Sequence, residues 1–130
     1  MKMVFVDTNY FLRFLLADVD AQHLKTKELF KKGLTREVEL ITSVIVFFEI
    51  YWVLSSFYGK KKEALVVILE DLLKMSFIKW EERQRLVKSV EIFRESGIDL
   101  EDSYNLVFSK EKKIGEMASF DKKLMKMFSG

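Results

Sequence analysis

The chain has 130 residues, 49% hydrophobic and 32% charged, with 22 Lys and Arg against 20 Asp and Glu. These proportions suit one domain with one apolar core and argue against both a membrane protein and a disordered tail. Cysteine is absent and His23 is the single histidine, which excludes disulfides, thiolate chemistry and the usual imidazole zinc site and leaves oxygen-ligated Mg²⁺ or Mn²⁺ as the open metal chemistry.

Residues 3–6 (Met-Val-Phe-Val) form an apolar run closed by the turn-like Asp7-Thr8-Asn9. That is the pattern of a strand buried on both faces. The run is too short for the core of a signal peptide, so a cytoplasmic protein is expected. Helices are expected over residues 10–17 and 21–32, the second with Leu24, Leu29 and Phe30 turned inward. Val38–Thr42 reads as the next strand, after which Ser43 can cap a helix that runs to about Phe57 and ends at Gly59. A helix over 61–74, a third strand over 77–80 and a helix over 82–96, stopped by Gly97, follow. Asp99 opens a helix to about Lys110, residues 115–120 read as a final core strand, and Asp121 starts the last helix. No repeat, linker or low-complexity stretch divides the chain, so residues 1–130 are taken as one domain. The alternation predicts an α/β fold: a three-layer α/β/α sandwich around a mainly parallel sheet.

In such sheets, functional groups collect beyond the carboxyl ends of the strands. Asp7 follows the first strand and Asp121 the last; Glu49 lies about a turn into the helix after the second, and Asp102 in the first turn of the helix opened by Asp99. Glu49 sits in the apolar run Val44-Ile45-Val46-Phe47-Phe48-Glu49-Ile50-Tyr51-Trp52-Val53-Leu54. Such a helix is expected to be largely buried, where a lone carboxylate is costly unless it is paired or binds a cation. Other readings stand beside this one. Glu49 could form a buried ion pair or carry a proton. The apolar run over 40–57 approaches the ~20 residues of a membrane span, against which its central Glu argues. Asp7, Asp102 and Asp121 each suit a helix start. Jointly, four carboxylates near one sheet edge would repel one another unless cations neutralise them. Two divalent ions about 4 Å apart would do so, one activating a water and the other stabilising the leaving oxygen of a phosphodiester. Thr8, Asn9 and Ser119 stand beside the first and last acids and could orient carboxylates or waters. Glu101 points away from Asp102 on a helix, Asp99 is placed as a cap, and Asn105 shares the Asp102 face.

Basic residues cluster at Lys60-Lys61-Lys62, Arg83 with Arg85, Lys110 with Lys112-Lys113, and Lys122-Lys123 with Lys126. Around an acidic cleft they would hold a nucleic-acid backbone.

Val4-Phe5-Val6-Asp7-Thr8-Asn9 resembles the opening strand and acid of PIN domains. Ile41-Thr42-Ser43 leading to Glu49 resembles their second acidic position, Asp102 at a helix head their third, and Ser119-Phe120-Asp121-Lys122-Lys123-Leu124 their last strand and fourth acid. The resemblance covers essentially the whole chain. It implies a Mg²⁺- or Mn²⁺-dependent endoribonuclease, with Asp7, Glu49, Asp102 and Asp121 as catalytic and metal-binding residues. Small members of the family are commonly VapC-type toxins that form homodimers and pair with an antitoxin protein. One segment departs from the pattern: the helix after Asp102 usually carries small residues, and here it reads Ser103-Tyr104-Asn105-Leu106-Val107-Phe108. The competing functional reading is a catalytically inactive module of the same fold that binds RNA or a protein.

Overall fold

The computed structural model describes residues 1–130. Three strands, β1 (Lys2–Phe5), β2 (Val38–Thr42) and β3 (Ile78–Trp80), form one parallel sheet in that order. Met3 lies opposite Glu39, and Leu40 opposite Ile78. Parallel neighbours need long crossovers, and helices supply them. Between β1 and β2 run α1 (Thr8–Leu16) and α2 (Asp20–Leu34); between β2 and β3 run α3 (Val44–Trp52) and α4 (Lys62–Lys74). After β3 come α5 (Arg83–Glu95), α6 (Leu100–Glu111) and α7 (Lys122–Ser129). The architecture is the expected one, a mostly helical α/β protein on a parallel sheet, consistent with α/β/α layering.

Side chains alternate across each strand. Val6, Leu40, Thr42, Ile78 and Trp80 are buried, whereas Met3, Phe5 and Lys79 are exposed on the other side. The core is aromatic at its centre: the Trp80 ring lies 5.0 Å from Phe11 and 5.7 Å from Phe47. Leucines Leu54, Leu69, Leu72 and Leu86 fill the space between the helices without exposure. Burying each contributes about 1.5–3 kcal/mol. Gly33 allows α2 to approach β2 closely, since a β-carbon there would stand 2.6 Å from Leu40 Cδ1. The Arg83 guanidinium donates to the carbonyl oxygens of Leu73, Met75 and Ile78, tying the end of α4 to β3. Burial lowers its pKa.

Four expectations need correction. Residues 115–120 are not a strand: they make no backbone–backbone hydrogen bond, and Phe120 is wholly exposed. Gly115, Glu116 and Ala118 are poor strand formers, so little holds this stretch against the free edge of β1. Leu24 is exposed instead of inward, because α2 presents Thr26, Phe30 and Gly33 to the core. The helix that begins at Val44 does not stay α-helical to Phe57; a π turn (Val53–Phe57) replaces its end. Finally, α3 is buried on one side only: Val46, Phe47, Ile50 and Tyr51 face inward, while Ile45, Glu49 and Trp52 share an outer stripe. Glu49 is therefore exposed, and the expected cost of burying it does not arise. The apolar run over 40–57 is divided among β2, α3 and the π turn, and no helix is long and apolar enough to cross a membrane.

Candidate acidic site beside the first strand

Asp7 stands just beyond β1, at the N-cap position of α1, with extended backbone angles. Asp side chains at this position ordinarily accept a hydrogen bond from the helix's first turn. The Asp7 side chain accepts none, and no ion pair engages it either. Capping thus leaves its exposed carboxylate unexplained. Thr8, the next residue, is buried and donates its hydroxyl hydrogen to Glu49 Oε1 at 3.2 Å. That bond joins the start of α1 to the outer stripe of α3. The start of α3 is held in turn by Ser43, whose hydroxyl accepts from the Val46 amide at 3.3 Å, and by Glu81, whose carboxylate accepts from the Val44 amide at 3.1 Å.

The other two acids lie at helix starts. Asp99 caps α6 by accepting from the Asp102 amide at 2.8 Å, as expected. Asp102 itself is half-buried and makes no capping bond. Burial raises its pKa first, and the charges of Asp99 and Asp121 raise it further. Asp121 is a cap for α7, accepting from the Leu124 amide at 2.9 Å, while the Ser119 hydroxyl accepts from the Asp121 amide at 3.0 Å. The Glu101 carboxyl is also raised, by burial and then by Asp99 and Asp102, so the head of α6 carries dense negative charge. Asn9 and Asn105 are exposed.

The predicted site residues thus fall into two sets: Asp7 and Glu49, linked through Thr8, and Asp102 with Asp121, linked by charge. No three Asp, Glu or His side chains stand together as a ready metal-ligand cluster. The donors are all oxygens, and in kind they suit a hard divalent cation.

A raised carboxyl pKa binds a proton in the folded state before it does in the unfolded chain. Stability linked to it is therefore greatest at low pH and is lost as pH rises through the folded value. In the presence of chelator, Asp102→Asn is expected to flatten the fall in melting temperature as pH rises from the ordinary Asp range toward neutrality. Parallel profiles for variant and wild type would contradict the raised value.

The basic groups separate into used and unused. Arg85 pairs with Glu82 and with Glu111, and Arg83 is consumed by carbonyls, so neither is free for a ligand. Lys122, Lys123 and Lys126, next to Asp121, form no ion pair. Sequence reading missed one contributor, Glu81. Glu81 offered no signal, since its role depends on β2 and β3 ending side by side. His23, expected at the surface, is half-buried; its Nδ1 lies 3.2 Å from the Arg13 carbonyl oxygen.

A family model, described as PIN domain, matches residues 4–127. No curated protein and no solved structure matches the chain. The match runs through the parallel sheet, all seven helices and every acid described above, and the chain belongs to the PIN-domain family.

Proposed function

We propose that this protein is a metal-dependent endoribonuclease whose ions are held by Asp7, Glu49, Asp102 and Asp121, directly or through water. PIN domains are generally nucleases and generally use divalent metals, which supports the class of reaction. One observation carries the placement: Asp7 sits where it could cap α1 yet leaves its carboxylate free, while Thr8 beside it holds Glu49. Mg²⁺ or Mn²⁺, when bound, supplies activation of water and neutralisation of the leaving oxygen. The chain's own parts have simpler tasks. Thr8 fixes one oxygen of Glu49, Ser119 fixes the backbone of Asp121, and Asn9 opens onto a groove also lined by Tyr10, Arg13, Gln22 and Lys25. Arg13 is paired with Asp18, so Lys25 in that groove and the unpaired Lys122, Lys123 and Lys126 are the cations offered to an RNA backbone.

Calorimetry with Mn²⁺ on wild type and Glu49→Gln tests the reading. Wild type is expected to bind, and Glu49→Gln to lose most of the affinity. Binding by neither would favour the second reading, an inactive module that recognises RNA or a protein. The absence of any three-carboxylate cluster is the observation on that side.

The toxin role is proposed from the resemblance to small VapC-type proteins. Ile45, Trp52 and Phe57 are exposed on the stretch that carries Glu49, a surface suited to an antitoxin or to a second copy in a homodimer. Co-purification of a partner encoded beside this chain would support it; a lone, non-toxic monomer would count against it.

A further inference from the structure

Tyr104 is a bulky residue two positions after Asp102. Its surroundings account for the size. The Tyr104 ring meets the Phe48 ring edge-on, with centroids 5.4 Å apart and planes at 90°. Phe48 is the residue immediately before Glu49. On its far side, the Tyr104 hydroxyl donates to Glu82 Oε1 at 2.9 Å and accepts from Arg85 Nη1 at 3.3 Å. The Arg85 guanidinium lies over the rings of Tyr104 and Phe108, 5.7 and 5.0 Å from their centroids. Glu82 holds a left-handed backbone (φ 56°), a conformation that is unfavourable in a non-glycine residue and persists where surrounding contacts fix it. Tyr104 is thus clamped at both ends, to α5 by its hydroxyl and to α3 by its ring. Edge-to-face pairs of this kind are attractive beyond the area they bury.

We infer that Tyr104 is a positioning residue: its ring against Phe48 sets the spacing between α3, which carries Glu49, and α6, which carries Asp102. It touches neither carboxylate and acts through the two helices. A site with its acids in two sets depends on that spacing, because an ion shared between them tolerates little drift. The consequence for metal binding rests on the nuclease reading; the spacing itself does not.

The chain has no cysteine, so Ile45→Cys and Asn105→Cys give one pair of spin labels per chain, on α3 and α6, read in labelled protein diluted with unlabelled chain. Pulsed electron resonance is expected to show a narrow distance distribution in the otherwise native protein and in Tyr104→Phe, which keeps the ring. Tyr104→Ala and Phe48→Ala are expected to broaden it. Without labels, Tyr104→Ala should weaken Mn²⁺ binding about tenfold, the lower end of what supporting residues around a metal contribute. Tyr104→Phe should bind like wild type, as should Leu69→Ala, a core variant on α4 that serves as a control for lost stability. Phe48→Leu, which keeps apolar bulk without the ring, replaces any alanine variant that fails to fold and should show the same broadening. An unchanged distance distribution in the ring-deleted variants overturns the inference whatever the metal does. So does unchanged Mn²⁺ affinity in Tyr104→Ala beside a wild type that binds. A wild type that binds no Mn²⁺ overturns the nuclease reading alone, and the distances then decide the spacing by themselves.

Discussion

Asp7→Asn is expected to slow RNA cleavage by about a hundredfold or more, since even supporting partners of a metal ligand are worth 10–100-fold. The melting temperature should move by only a few degrees. Asp7 accepts no capping bond and forms no ion pair, so its charge contributes little to the fold. Asn keeps the shape and is an equally good N-cap residue. The change therefore removes a charge from the proposed site while sparing the scaffold. Cleavage of a labelled RNA in Mn²⁺, with and without chelator, checks it. Residual activity in Asp7→Asn that is as fast as wild type would place the chemistry elsewhere or in a contaminant.

Phe47→Ala is expected to destabilise the protein by about 3–5 kcal/mol, the range for emptying a buried phenylalanine site. Phe47 is wholly buried, 5.7 Å from Trp80 and 6.0 Å from Phe48, both nearly edge-on. It lies where α3 meets the end of β3, and neighbours held by the strand cannot collapse far into the gap. Phe57→Ala makes the natural comparison, because that ring is 77% exposed and its loss should change stability by less than about 1 kcal/mol. Urea denaturation of the two variants measures both. Equal losses would mean that Phe47 does not belong to a close-packed core.

The elements that were readable beforehand are those with strong local signals. Val38–Thr42 is rich in β-branched residues, Ser43 is a good cap, and α5 ends within two residues of Gly97, so their places follow from short-range chemistry. Residues 115–120 were misread because a strand needs a partner as well as a pattern, and composition says nothing of what the edge of β1 will accept. Glu49 was misread for a related reason: an apolar helix was assumed to be covered all round, whereas Ile45 and Trp52 are left outside with it. The four acids were proposed from their positions in the chain, and which of them stand near one another depends on helix packing. Tyr104 looked like a misfit until Phe48, Glu82 and Arg85 were seen around it; no spacing in the chain links those four residues.

The parallel sheet also dictates an order of assembly. β1 cannot pair until α1 and α2 have been made and folded back to bring β2 beside it, and β3 must wait on α3 and α4 in the same way. Pairings so distant along the chain exact their loop entropy before any hydrogen bond is gained, which slows folding. During synthesis, the exposed Met3 and Phe5 of β1 would emerge long before their partner strand, leaving a short apolar segment without cover on the ribosome. Lys2 and Asp7, at the two ends of that segment, are the charges placed to discourage its association with other nascent chains.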